Sequence, residues 1–350
     1  MCDEVYEELA KHLDQALAGA PMSPALIGIL KILHTEEEAG VALHLEVYQN
    51  RTLEQCAEAT GETAGRLEEI LGQMAHKGTV FTEQKPGRER IYRLFPSVVG
   101  FAEAPYLDGL DTPEKRALAP LWVEYIGSEF GEEMARGVPL IRVVPIAESL
   151  EDTSEILPFD ALETKLDEAS FMAVAHCPCL QVNKYVGKGC DRPTERCMHF
   201  GSLGRYIVEM GMGRRIDKAE AMQILRSATE EGLVHVCDNV QGGLRTICNC
   251  CPCCCGFFQA MLVAGHDTIS RSNYVARVDA EVCTACAVCE DRCPVGAITV
   301  AEAAEVDEDR CIGCGVCTPT CGGPDAIRLH VRGQTVEPPD LAGFMAARKK

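Results

Sequence analysis

The residues of this chain best suited to chemistry are its cysteines, 21 in 350. Eighteen fall into three knots, at 177–197, 248–255 and 283–321, while Cys2, Cys56 and Cys237 stand alone. Cysteines this dense serve either disulfides or metals. Disulfide-rich domains are mostly small and secreted, whereas this chain is long, its cysteine count is odd, and it opens on MCDEVYEELAKHLD, acidic where a secretory leader is basic and then apolar. Clustered thiolates are soft donors that suit transition metals, so the grouping predicts metal ligation in a reducing, cytoplasmic setting. In the last knot Cys283, Cys286, Cys289 and Cys293 are spaced C-x2-C-x2-C-x3-C and followed by Pro294. Cys311, Cys314, Cys317 and Cys321 repeat that spacing twenty-eight residues later. Two-residue gaps let one tight loop present three thiolates to three irons of a cubane, with backbone N–H groups turned toward the sulfides. Eight cysteines in this doubled pattern predict iron–sulfur clusters rather than a pair of zinc sites.

This segment, about residues 276–332, resembles a bacterial-type ferredoxin carrying two [4Fe–4S] clusters. In that family the fourth cysteine of each run ligates the other cluster. The resemblance therefore implies Cys283, Cys286, Cys289 and Cys321 for the first cluster and Cys311, Cys314, Cys317 and Cys293 for the second. One departure is visible: Cys321 is followed by Gly322-Gly323-Pro324, so the proline that follows the run is displaced, which alters a turn more than a ligand.

The middle knots follow no standard pattern. HCPC supplies Cys177 and Cys179, with Cys190 and Cys197 following, and CNCCPCCC supplies Cys248, Cys250, Cys251, Cys253, Cys254 and Cys255. Within the run Cys248, Cys251 and Cys254 are themselves spaced C-x2-C-x2-C, and Cys250 and Cys253 form an interleaved pair. Adjacent side chains do not easily point at one metal centre, so the run can serve two centres from its two sides. At least one further iron–sulfur cluster, of the [4Fe–4S] kind, is expected from these ten thiols. Their order does not match the cysteine-rich motif of heterodisulfide-reductase-like proteins, and no ligands are carried over from it. His176, His199, His235 and Cys237 lie near the knots, and core roles suit them better than ligation.

Charge bears on partners. The net charge is −20, and residues 1–95 carry 16 acids against 9 bases. Among the long segments residues 171–275 are the positive one, with 9 acids and 11 bases, and Arg192, Arg196, Arg205, Arg214 and Arg215 could offset thiolate and sulfide charge there. An acidic chain is a poor match for nucleic-acid phosphates. The longest uncharged stretch, Thr246 to Gly265, holds six cysteines, an Asn and a Pro. It therefore reads as a metal-site segment rather than a membrane span. GMG (211–213) and GKGC (187–190) lack the strand and helix context of phosphate-binding loops, so NAD, flavin and ATP are not supported.

The elements that must position these residues read as a multi-domain α+β chain. Residues 1–95 form a winged-helix-like domain: PALIGILKIL (24–33) is an apolar helix, Thr52 and Gln55 make a capping box for TLEQCAEAT, and Thr63 caps a helix with Leu67, Ile70, Leu71 and Met74 on one face. Gly78 ends that helix, and TVFTE and ERIYRL form a hairpin around KPGR. Glu68 and Glu69 on the candidate reading helix favour protein contact or dimerisation over DNA, despite Lys85, Arg88, Arg90 and Arg93 in the wing. Residues 96–170 read as a helix-and-strand connector without visible chemistry, with LAPLWVEYIGSEFGEEM an amphipathic helix, Trp122 in the core and LIRVVPI a strand. Residues 171–275 form a mixed α/β iron–sulfur domain, with RYIVEMG and DKAEAMQILRSATEEG helical, Asp217 and Glu220 a capping box, and LVHV a strand. Residues 276–335 are the ferredoxin-like two-cluster domain and 336–350 a tail. The whole chain looks like the long multi-domain 4Fe–4S ferredoxin proteins of anaerobic bacteria. The function expected first is a relay of single electrons between redox partner proteins. A redox-sensing winged-helix transcription regulator and an oxidoreductase acting at the middle cluster are the alternatives.

Overall fold

Short polar side chains mark where the first helices begin. The computed structural model describes residues 3–151, 157, 160–323 and 326–349. Helix α1 (Glu4–Leu13) is followed by α2 (Pro24–Leu33), α3 (Glu36–Ala42), α4 (Leu53–Thr60) and α5 (Ala64–Lys77). Ser23 accepts the Leu26 N–H at the start of α2, and Thr35 with Glu38 and Thr52 with Gln55 form reciprocal capping boxes on α3 and α4. Thr63 occupies the N-cap of α5 but its side chain accepts no backbone N–H, so the expected cap is not made and α5 is held by its buried Leu67, Ile70, Leu71 and Met74. Gly78, at φ +80°, ends it. Strands β1 (Arg51–Thr52), β2 (Val80–Glu83) and β3 (Ile91–Leu94) form an antiparallel sheet ordered β1-β3-β2.

The stretch expected to be one helix is two, α6 (Pro113–Ile126) and α7 (Glu129–Ala135). The break is at Ser128, whose Oγ turns back to the carbonyls of Glu124 and Tyr125, offering the backbone a partner that ends the helix. Trp122 lies in the core with Phe101, Tyr125 and Phe130.

A seven-stranded sheet forms the centre. Its strands are β4 (Ile141–Val143), β5 (Met172–His176), β6 (Glu195–Phe200), β7 (Arg214–Arg215), β8 (Val234–Asp238), β9 (Thr246–Cys250) and β10 (Ile269–Ser270). The order is β10-β4-β8-β9-β6-β5-β7, antiparallel except for the β10–β4 pair. Helices α8 (Leu162–Glu168), α9 (Pro178–Tyr185), α10 (Gly201–Glu209), α11 (Lys218–Glu230) and α12 (Gly256–Ala264) connect these strands. Asp217 accepts the Glu220 N–H, while the Glu220 carboxylate pairs with Arg214. The sheet spans the boundary drawn at residue 170, since β4 hydrogen-bonds to both β8 and β10.

Beyond it, β11 (Tyr274–Val278) pairs with β14 (Ile327–Val331), and β12 (Ile298–Val300) with β13 (Ala304–Val306), around the short helix α13 (Val288–Arg292). The final residues are more than a tail: α14 (Leu341–Arg348) ends in Arg348, fully buried and donating to the carbonyls of Leu17, Glu133, Met134, Arg136 and Val138. The N-terminal sheet also packs on the centre. Phe81, Phe95 and Tyr206 make an aromatic cluster, and the Tyr206 hydroxyl donates to the Ala75 carbonyl at 2.6 Å.

Candidate metal centres

The two C-terminal cysteine runs fold into matching loops. In the first, Ala285 and Ala287 have φ +52° and +62°; in the second, the equivalent Gly313 and Gly315 have φ +68° and +80°. Left-handed residues two and four places after the first cysteine turn the chain tightly enough to bring successive thiols round to one side. Alanine is tolerated in the first loop because its side chains there are partly open. The second loop is buried, and a Cβ at Gly315 would meet Ser149 at 2.8 Å, so only glycine fits.

The thiols converge in two cavities of about 330 and 320 Å³. Cys283, Cys286, Cys289 and Cys321 line one; Cys293, Cys311, Cys314 and Cys317 line the other. Each set takes three thiols from one run and the fourth from the other. The Ala297 N–H donates to Cys293 Sγ at 3.1 Å and the Ala304 N–H to Cys283 Sγ at 3.4 Å, bonds of the kind that tune a bound cluster. Burial pushes the Cys314 thiol up to about 12, whereas backbone N–H groups led by Val288 pull the exposed Cys286 down. An all-thiolate donor set with N–H groups aimed at sulfur fits an iron–sulfur cluster in each cavity. Pro324 lies outside the described residues, as does Cys2.

The ten middle cysteines divide into two groups, and the division follows secondary structure. Cys248 and Cys250 share a face of β9, as residues two apart on a strand must. With Cys177, Cys179, Cys197 and Cys255 they line a chamber of about 790 Å³ between β6, β8, β9 and the start of α9, a chamber whose wall Cys251 and Cys254 also reach. The chain turns at Cys251, and Cys251, Cys253 and Cys254 gather around Cys190, with Cys251 and Cys254 standing between that group and the chamber.

In the chamber, Cys197 and Cys248 lie 3.9 Å apart, and Cys177, Cys179, Cys255 and Cys250 continue the contact chain to Cys248. Its wall includes His199, buried with no hydrogen-bond partner on either ring nitrogen, and the buried Arg196. Burial holds the His199 imidazole down to about 4. Glu103 also faces in; burial pushes its carboxyl up to about 8, against the Gly100 N–H that it accepts at 2.8 Å. Six thiols with an orphaned imidazole suit a multinuclear sulfur-ligated group, which would give the imidazole a partner. His235, by contrast, is satisfied by Asn249 and Thr229, and His176 by Thr194. Cys237 also borders the chamber, but its thiol donates to the Asp238 carbonyl at 3.5 Å, and burial raises it to about 12. Among the flanking arginines, Arg192 reaches Cys253 Sγ at 3.8 Å, while Arg214 is spent on Glu195 and Glu220, and Arg205 and Arg215 on Phe171.

The two sulfur-rich regions are joined. Arg292, between the first run's last two cysteines, donates to Val316 O at 3.0 Å and to Thr229 O at 2.9 Å. The Ile146 N–H, from the segment that follows β4, donates to Cys314 O at 3.1 Å.

Residues 276–299 match the family of 4Fe-4S binding domains. The segment is ferredoxin-like. The match spans the first cysteine run of this ferredoxin-like segment, and the second run repeats its spacing and loop conformation. No curated protein and no solved structure matches the chain. No helix among the described residues is long and apolar enough to cross a membrane. Sequence reasoning missed Glu103, which sits in a connector with no motif around it, and set aside His199, which differs from the other two histidines in lining the chamber and in its missing partners.

Proposed function

We propose that this protein relays single electrons between redox partner proteins. Two [4Fe–4S] clusters would be held by Cys283, Cys286, Cys289 and Cys321 and by Cys293, Cys311, Cys314 and Cys317, and a further cluster by the six thiols of the middle chamber. Such clusters supply reversible one-electron transfer when bound. The chain's part is to hold them: the left-handed loops orient the thiolates, the N–H groups of Ala297 and Ala304 stabilise charge on sulfur, and burial of Cys311, Cys314 and Cys317 keeps water off the second site. The observation that supports the reading best is the crossed convergence of the two runs, backed by the docking of the second loop onto the middle segment through Arg292 and Ile146. Anaerobic rapid mixing of the reduced full chain with a protein acceptor tests it. Fast transfer that fails in Cys314→Ala is expected; wild-type rates in that variant contradict it.

The N-terminal helices and β1-β3-β2 sheet suit a winged-helix fold serving protein contact, including a second copy of the chain, rather than DNA. Arg66 is engaged by Glu37 and Glu69, Arg90 by Glu209, and Arg93 by Asn50 and the Phe81 ring. A second reading, an oxidoreductase acting at the middle centre, draws on one observation. An apolar cavity of about 1060 Å³, lined by Trp122, Ile126, Phe130 and Val182, adjoins the chamber and shares Glu103, Pro178, Cys179, Cys254 and Phe257 with it.

A further inference from the structure

Four of the ten middle cysteines are set apart by how closely they approach. Cys190 Sγ lies 4.0 Å from Cys251 Sγ and 3.7 Å from Cys254 Sγ, which is 3.7 Å from Cys253 Sγ. All four sulfurs lie within 4.8 Å of one another, and no other group of three or more Cys, His, Asp or Glu ligand atoms among the described residues is drawn this close. A tetrahedral zinc ion with Zn–S bonds of about 2.3 Å puts its sulfurs about 3.8 Å apart. The four cysteines of a bound cubane each bind a different iron, so four sulfurs all drawn mutually together match one ion rather than a cube of four irons and four sulfides, whereas the chamber thiols approach one another only pairwise along a chain.

We propose that Cys190, Cys251, Cys253 and Cys254 hold a single zinc ion, separate from every iron–sulfur cluster. Four thiolates around one divalent ion leave a net charge of −2. Arg192, whose guanidinium donates to Cys253 Sγ at 3.8 Å, stands where it offsets part of that charge. The ligand set is closed, with no position left for water or substrate, which makes the site structural. Its place in the fold gives it a job. Arg192 also donates to the Glu231 carbonyl at 3.5 Å, while Arg292 of the ferredoxin-like segment donates to the neighbouring Glu230 and Thr229 carbonyls. The ion would tie the Cys190 loop and the Cys251–Cys254 turn together beside the end of α11, on which the C-terminal segment docks.

The test is metal and sulfide content of the full-length chain, loaded anaerobically with iron, sulfide and zinc and then challenged with a chelator. Cys253→Ser is the main variant because its side chain is exposed and its loss leaves the packing intact; Cys190→Ser is the second. The wild type is expected to retain about one zinc per chain. Both variants should lose it at least about tenfold more readily, with iron and sulfide unchanged. Cys250→Ser, a chamber cysteine, should show the reverse: iron and sulfide fall and zinc stays. X-ray absorption at the zinc edge should give four sulfurs at about 2.3 Å and no metal neighbour. Loss of iron together with sulfide in Cys253→Ser, iron in place of zinc at this site, or zinc retention equal to wild type in both variants would overturn the assignment.

Discussion

Gly313 and Ala285 occupy the same place in the two cysteine loops, yet substitutions between their residue types should act in opposite directions. Gly313 has φ +68°, and a Cβ there would run into Ser272 Oγ and Tyr274 O. A left-handed alanine costs about 1–2 kcal/mol, and forcing a methyl into packed surroundings about 1–3 more. Gly313→Ala should therefore cost roughly 2–5 kcal/mol. Ala285 already pays the left-handed cost at φ +52° in a half-open loop. Ala285→Gly relieves it while adding about 0.5–1 kcal/mol of backbone entropy, for a net change between zero and a gain of about 1.5 kcal/mol. The assay is anaerobic thermal loss of the iron–sulfur absorbance in the full chain. A drop of roughly 3–7 °C is expected for Gly313→Ala, with little change or a small rise for Ala285→Gly. Equal losses in both variants, or none in Gly313→Ala, would refute the argument from loop conformation.

Other outcomes follow from the same geometry. Cys321→Ala should damage the cluster that Cys286→Ala damages, and Cys293→Ala the one that Cys314→Ala damages, as read by low-temperature electron paramagnetic resonance of the reduced protein; pairing by run instead would contradict the crossed ligation. Buried His34, held down to about 4 by desolvation, is neutral when folded but takes up a proton below about 6.5 when unfolded. Its neutrality thus supports folding above pH 6.5, and up to about 3 kcal/mol of that support is lost as pH falls to about 4. In His34→Phe, urea unfolding should show that much less dependence over this window. Duplex DNA should bind weakly or not at all at near-physiological salt in either redox state, given the net charge of −20; a tight complex in one state would favour the regulator.

The ferredoxin-like segment was legible because its chemistry is local: the spacing that brings three thiols to one loop lies within seven residues. The capped helices and the hairpin around KPGR were legible for the same reason. The partition of CNCCPCCC was not, because it depends on where β9 stops. Alternation sends Cys248 and Cys250 one way, and the turn at Cys251 sends the next thiols to Cys190, sixty-one residues back. Nor could sequence show that His199, unlike His235, would be buried without partners, or that Glu103 would reach the chamber, since both depend on packing between distant segments.

The central claim is that the chain holds more clusters than its ferredoxin-like segment, and counting iron and acid-labile sulfide tests it most directly. The comparison is between the anaerobically reconstituted full chain and a full-length variant with Cys248, Cys250 and Cys255 all changed to Ala. Two C-terminal cubanes account for about eight irons and eight sulfides. The wild type should exceed both numbers and the variant should fall to them. Equal iron and sulfide in the two proteins, both near eight, would contradict the account and leave the six chamber thiols without a cluster.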